Sequence, residues 1–142
     1  MFKVLVDGDA CPVKDELAAL CEVFHFDWWL FVDDSHWIDE PLAHVVYCDT
    51  SKDSVDLALL RVVQAKDLVL TNDRGLAAWA LAKGAYAMDF DGQQIDEKNI
   101  DVYLWLRYER QKGRLTSRPR ARKMRQNQQF YQACRTFLEG RT

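Results

Sequence analysis

Histidine and cysteine are scarce in this chain of 142 residues, and neither has the spacing of zinc ligands. The three histidines are too far apart to pair on one helix turn, and the four cysteines include no Cys-x-x-Cys motif. Both patterns argue against a structural zinc site. They predict four reduced thiols that pack as small core side chains: Cys11, Cys21, Cys48 and Cys134.

Long apolar runs are also missing, and no stretch approaches the roughly 18 residues that a transmembrane helix needs. The first residues read as a β-strand and lack the features of a signal peptide, so we expect a cytoplasmic protein with no membrane partner. Hydrophobic residues make up 49% of the chain, which is enough for a packed globule. Because no repeat or linker is visible, we predict a single domain over residues 1–142.

Charge is distributed unevenly along the chain, although its net value is only −3. Residues 1–106 contain 8 Lys/Arg and 20 Asp/Glu, a net charge of −12, whereas residues 107–142 contain 11 and 2, a net charge of +9. A basic end of this kind can bind a polyanion such as RNA, pair with the acidic body of its own or another copy, or remain solvated. We predict an exposed basic loop over 114–125, with these candidate nucleic-acid-binding residues: Arg114, Arg118, Arg120, Arg122, Lys123 and Arg125.

Short apolar runs alternate with helical patterns, which is typical of βαβ units and a parallel sheet. The fold class predicted is therefore α/β, with a central parallel sheet of about five strands flanked by helices. The second and third predicted strands end at Asp33 and Asp49. The predicted strands span residues 2–7, 28–32, 45–48, 67–71 and 85–88.

Four helices are predicted between or after these strands, over 12–23, from about 53, over 75–83 and over 100–111. Ser51 is expected to cap the second helix, and Gly84 to end the third as its C′ residue. A last helix is expected to dock on the body through apolar residues at helical spacing: Phe130, Tyr131, Cys134, Phe137 and Leu138.

Aspartates follow the predicted strands, at the edge where open parallel sheets bind ligands. Asp7 and Asp9 follow the first strand and Asp73 the fourth, while Asp53 and Asp56 share one face of the second helix. If the first and fourth strands are neighbours, Asp7 and Asp73 face each other. Gathered carboxylates repel one another unless a cation compensates them, and Mg²⁺ or Mn²⁺ prefers oxygen ligands. The pattern therefore predicts a divalent-metal site.

Each of these acids also has a structural explanation, because turns and helix N-caps favour aspartate. Asp7 is the hardest to explain in this way, since its apolar strand does not require a turn residue. Thr71 and Asn72 are candidates to orient a bound water, or are simply polar residues at a strand end. Cys11 precedes an expected helix N-terminus, where the dipole would lower its pKa, but a packing role is favoured. Trp79 and Trp105 lie in apolar helical patterns and are predicted to be core residues.

Three segments resemble motifs of the YaiI/YqxD family of bacterial proteins. Residues 6–13, VDGDACPV, resemble the family's opening V-D-[AG]-D-A-C-P-V motif, and residues 53–56, DSVD, resemble its central D-[SA]-[VA]-D motif. Residues 67–77 are similar to its D-[LI]-V-[LIV]-T-x-D-x-x-L-A stretch. The chain departs from the family at residues 116–119, where Thr-Ser-Arg-Pro replaces the frequent T-[GK]-G-P.

The resemblance implies a PIN-like three-layer fold, whose nuclease members bind Mg²⁺ or Mn²⁺ through acids at adjacent strand ends. It implies this metal-binding set: Asp7, Asp9, Asp53, Asp56 and Asp73. Within this set we take Asp7 and Asp73 as the catalytic residues and primary ligands. The leading hypothesis is thus a metal-dependent nuclease acting on RNA. One alternative is an RNA- or ribosome-associated protein without catalysis, and another is a phosphatase with an aspartyl nucleophile at Asp7.

Overall fold

A computed structural model describes residues 2–8, 11–35, 37–51, 53–100 and 122–141. Within these ranges the chain forms six strands and four helices. The strands are β1 (Lys3–Asp7), β2 (Asp27–Asp33), β3 (Ala43–Cys48), β4 (Leu68–Leu70), β5 (Tyr86–Met88) and β6 (Gln94–Ile95). The helices are α1 (Lys14–Phe24), α2 (Ser54–Val62), α3 (Arg74–Ala82) and α4 (Met124–Glu139).

The strands form one sheet in the order β3-β2-β1-β4-β5-β6. The first five pair in parallel, which confirms the predicted α/β fold class, and β6 pairs antiparallel with β5. The two residues of β6 were not predicted, because so short a strand shows no period-2 pattern. After β3 the chain crosses back over β1 to form β4, so β1 and β4 are neighbours that lead to opposite halves of the sheet.

Helices cover both faces of the sheet and make three layers. Val4 and Val6 of β1 face a core shared with α1 and α4, while Leu5, between them, faces a core shared with α2 and α3. This alternation follows from the strand period of two, and a strand covered on both faces must be apolar throughout. Tight packing on both faces therefore holds the strand ends, and the side chains on them, in place.

Of the two residues predicted to end or cap helices, the one at α3 was right and the one at α2 was wrong. Gly84 follows α3 with a φ of 85°, which confirms it as the C′ residue. The expectation that Ser51 caps α2 was wrong. The N-cap residue is Asp53, and Ser51 contributes only its carbonyl, which accepts a hydrogen bond from the Ser54 backbone N–H at 3.3 Å.

The tryptophans that the structure describes differ in their exposure to solvent. Trp28 is buried in the core. The prediction that Trp79 is a core residue was wrong, because its side chain is 65% exposed. Leu76, Ala77 and Ala80 already fill the inner face of α3, so Trp79 lies outside it. Trp105 lies outside the described residues, as does the predicted helix beyond Ile100.

The final helix docks on the body as predicted, with Phe130, Cys134 and Leu138 fully buried against the α1 side of the sheet. It begins at Met124, so the last two residues of the predicted 114–125 loop belong to α4. Residues 114–121 lie outside the described ranges. No helix in the described part of the chain is both long enough and apolar enough to cross a bilayer.

Gly92 lets the β5–β6 turn approach α4 closely. Its φ is 88°, and a Cβ there would lie 2.7 Å from the Ala133 Cβ and 3.1 Å from the Gln129 carbonyl oxygen. We expect Gly92→Ala to lower the free energy of unfolding by about 2–4 kcal/mol through backbone strain and overlap, measured by urea denaturation.

Gly140→Ala is the matched control, because a Cβ at Gly140 meets only ordinary contacts of 3.5 and 3.9 Å. It should change the free energy of unfolding by less than about 1 kcal/mol. Equal stability of the two variants would show that α4 does not dock against the turn as described.

Candidate active site

The gap between the carboxyl ends of β1 and β4 is the switch point of the sheet, the place where ligands bind in doubly wound folds. The two strands pair in register from Val4 with Leu68 to Val6 with Leu70. Asp7 ends β1, and Thr71 directly follows β4. Two polar side chains thus stand side by side where two apolar strands stop.

A hydrogen-bonded chain joins Asp7 to Asp73 through Thr71. The Thr71 hydroxyl, which is fully buried, donates to Asp7 Oδ2 at 3.1 Å and accepts from the Asp73 backbone N–H at 2.9 Å. Asp73 Oδ1 in turn accepts from the backbone N–H groups of Gly75 and Leu76 at 2.9 and 3.2 Å and caps α3. Strands β1 and β4 are neighbours as expected, but the link between the two acids is Thr71.

Asn72 contacts the chain segment that follows β5. Its Oδ1 accepts a hydrogen bond from the Phe90 backbone N–H at 3.0 Å, which fixes the chain after β5 to the chain after β4. This contact gives Asn72 a structural role at the strand end, the second of the two roles that the sequence left open.

An acidic cleft of about 250 Å³ lies beside Asp7. The cleft also contains the hydroxyl residues Thr50, Ser51 and Ser54. Its aspartates are Asp7, Asp33, Asp49, Asp53 and Asp56.

Asp33 and Asp49 were missing from the predicted site set. Their signal was the same as that of Asp7, since each terminates an apolar strand. Because β2 and β3 run parallel to β1, their carboxyl ends reach the same edge of the sheet. The order of the strands, which brings these ends around one cleft, was the part that the sequence did not show.

Asp53 adopts an unusual backbone conformation at the acidic cleft. Its φ of 67° is in the left-handed region, and its side chain makes no capping hydrogen bond to α2. Such a conformation costs about 1–3 kcal/mol for a residue other than glycine, and it concentrates at functional sites. The conformation places Asp53 and Asp56 at the border of the acidic cleft and a second groove.

That second groove, of about 510 Å³, runs between α2 and α3. Its lower end is lined by Asp53, Asp56 and Asp73. Its walls and far end are lined by Leu57, Leu60, Gly75, Leu76, Trp79 and Lys83. We call it the α2–α3 groove.

The metal site predicted from sequence is not assembled as a tight cluster. Among the residues that the structure describes, no three His, Cys, Asp or Glu side chains are grouped closely enough to hold one ion. Asp9, a member of the predicted set, lies outside the described residues. Instead, five aspartates and three hydroxyl residues line an open cleft.

Cys11 is a buried packing residue. Burial raises the pKa of its thiol to about 11, and this effect outweighs the lowering by the Val13 backbone N–H and by Lys14. The buried position agrees with the packing role that the sequence favoured. The remaining cysteines, Cys21, Cys48 and Cys134, are also buried and reduced.

Arg122, one of the predicted nucleic-acid-binding residues, is engaged within the protein. Its guanidinium donates to Asp91 Oδ1 at 2.9 Å, and also to the Phe90 carbonyl and the Asn127 side chain. Lys123 is the N-cap residue of α4, and Arg125 lies in the first turn. Arg114, Arg118 and Arg120 lie outside the described residues.

Comparison with known proteins assigns the chain to a family. A family model described as "Uncharacterized BCR, YaiI/YqxD family" matches residues 5–140. The chain belongs to the YaiI/YqxD family. This membership confirms the resemblance seen in the three sequence motifs. No solved structure matches the chain.

Several bacterial relatives align with this YaiI/YqxD chain over almost their full length. A UPF0178 protein of Natranaerobius thermophilus is 37% identical over 91% of this chain and 90% of its own length. One from Ruminiclostridium cellulolyticum is 34% identical over 97% and 93%, and one from Listeria welshimeri is 31% identical over 98% and 97%.

Removal of the Thr71 hydroxyl should destabilise the switch point. Thr71→Val keeps the shape of the side chain but deprives Asp7 of a donor and the Asp73 N–H of an acceptor. We expect a loss of about 1–3 kcal/mol in the free energy of unfolding, measured by urea denaturation. Thr71→Ser, which keeps the hydroxyl, should lose less, and a valine variant as stable as the original chain would contradict this assignment.

The thiols should react slowly in the folded protein. With the pKa of Cys11 at about 11, about one of its thiols in a thousand is ionised at pH 8, and the thiolate is the reactive form. We expect Ellman's reagent to label the folded chain slowly and all four cysteines rapidly in guanidinium chloride. Rapid labelling of Cys11 in the folded state, located by peptide mapping, would revive the reactive-thiol interpretation.

Proposed function

We propose that this chain is a nuclease that hydrolyses phosphodiester bonds, with RNA as the favoured substrate and Mg²⁺ or Mn²⁺ as cofactor. The observation that carries the proposal is the acidic cleft, where five aspartates surround about 250 Å³ beside the β1–β4 switch point. The PIN-like resemblance of the sequence supports the same reaction by analogy of fold.

The donors around the acidic cleft suit a hard divalent cation. They are carboxylate and hydroxyl oxygens, the ligands that Mg²⁺ and Mn²⁺ prefer over nitrogen and sulfur. Protein sites for Mg²⁺ commonly use only one or two carboxylates, with waters and substrate phosphates as the other ligands. An open cleft without a three-residue cluster therefore fits this ion.

Asp7 is the leading candidate to hold the ion, with Asp53 and Asp56 also lining the cleft. A bound divalent ion supplies Lewis acidity, which activates water and offsets negative charge on a phosphodiester. Thr71 keeps Asp7 oriented through its hydrogen bond. Asp73, whose Oδ1 caps α3, orders the loop that carries Thr71 and borders the α2–α3 groove.

In this proposal, the basic end of the chain attracts the negatively charged nucleic acid. Residues 107–142 carry a net charge of +9, which offsets the repulsion between an acidic site and phosphate. Since Arg122 is engaged with Asp91, this role falls to the other basic residues of the predicted set: Arg114, Arg118, Arg120, Lys123 and Arg125.

The proposal predicts cleavage of single-stranded RNA by the purified chain with Mn²⁺ present, and none with excess EDTA. Asp7→Asn should lower the cleavage rate more than about 100-fold, because it removes a charged ligand. Circular dichroism should show that the variant keeps its fold.

Asp34→Asn provides the control, because Asp34 is an exposed acid close to the cleft but not among its lining residues. Its cleavage rate should stay within about twofold of the original. No cleavage of single- or double-stranded RNA or DNA, with either metal, would overturn the proposal. RNA binding that survives Asp7→Asn without any cleavage would favour the non-catalytic binding protein.

A further inference from the structure

The α2–α3 groove has apolar walls and charged ends. Leu57 of α2 is 55% exposed on one wall, and Trp79 of α3 is 65% exposed on the other. The groove shares Asp53 and Asp56 with the acidic cleft, so the two border each other. Lys83 lies at the other end of α3, next to the C-terminus of the helix.

Trp79 is not needed for packing, since the inner face of α3 is already filled by smaller residues. An exposed indole on a short, well-packed helix is a rigid aromatic surface, which is suited to stacking against a planar ligand. Its helix is held at both ends, by the Asp73 cap and by the C′ residue Gly84. The ring is thus carried on a fixed support beside the acidic cleft.

The rise along α3 sets how far Trp79 lies from the acidic end of the groove. Trp79 lies six residues after Asp73, which at 1.5 Å per residue is about 9 Å along the axis. A phosphodiester placed at the acidic end would therefore have its neighbouring base near Trp79. The ammonium group of Lys83 donates a hydrogen bond to the Leu60 carbonyl oxygen at 2.5 Å and so joins α3 to α2 at the far end of the groove.

We propose that the α2–α3 groove binds one nucleotide of a single-stranded substrate, with its base stacked on the Trp79 indole. This inference rests on the proposed nuclease function and names the part of the substrate that the site holds next to the cleaved bond. The volume of about 510 Å³ lies in the range of small-molecule sites. Recognition by stacking tolerates any base, so the groove selects single strands over duplexes, whose bases are already stacked.

The test measures binding apart from cleavage. All variants are made in the Asp7→Asn background, and fluorescence anisotropy reports binding of a short labelled single-stranded RNA, which a gel shows to be intact. Trp79→Ala should weaken binding by about 5- to 150-fold, the range for loss of one stacked base. Trp79→Phe, which keeps an aromatic ring, should recover most of the affinity.

Trp37→Ala is the matched control, because Trp37 is 79% exposed but does not line the groove. Its affinity should equal that of the background protein. An RNA with an abasic site at the position next to the cleavable bond should bind as weakly to the background protein as intact RNA binds to Trp79→Ala. Duplex RNA should bind with no dependence on Trp79.

Equal affinities of Trp79→Ala and Trp37→Ala, or equal binding of abasic and intact RNA, would overturn the groove assignment. Cleavage by the original chain would then leave the nuclease proposal standing without it. Conversely, a Trp79-dependent affinity in a chain that cleaves nothing would support the groove as a single-strand binding site while the nuclease proposal fails.

Discussion

The buried hydroxyl of Thr71 is the contact on which the arrangement of the site depends. It connects Asp7, at the end of β1, with the loop that starts α3, and so joins the two halves of the sheet at the point where the order of the strands reverses. A hydroxyl is suited to this position because it both donates and accepts. Because the Thr71 side chain is fully buried, a hydroxyl there without these partners would carry the cost of an unsatisfied polar group.

Acids at the N-terminal ends of α2 and α3 line the α2–α3 groove, and those of α2 also line the acidic cleft. The dipoles of α2 and α3 favour acids there, which reduces the cost of placing Asp53, Asp56 and Asp73 close together. The same positions lie at the carboxyl edge of a parallel sheet, where Asp7 also stands. Local helix energetics and sheet topology thus direct negative charge to one place, which is the physical basis of the proposed cation and phosphodiester chemistry.

Much of the architecture was predictable because parallel βα units leave strong local signals. Apolar strand runs, the C′ residue Gly84 and the helical spacing of Phe130, Cys134 and Leu138 each follow from backbone geometry over a few residues. The failures have physical reasons as well. The two residues of β6 are too few for a period, and Trp79 fits an apolar helical pattern whose inner face was already filled by smaller side chains.

The sequence by itself determined the fold class, the family motifs and the acids at the strand ends, because alternation of strands and helices is a local property. Tertiary structure alone decided how these acids combine. The order of strands brought Asp33 and Asp49 to the same cleft as Asp7, and long-range contacts turned Arg122 toward Asp91. These contacts join residues that are far apart in the chain. No local sequence pattern encodes such contacts, because the residues meet only when the sheet packs.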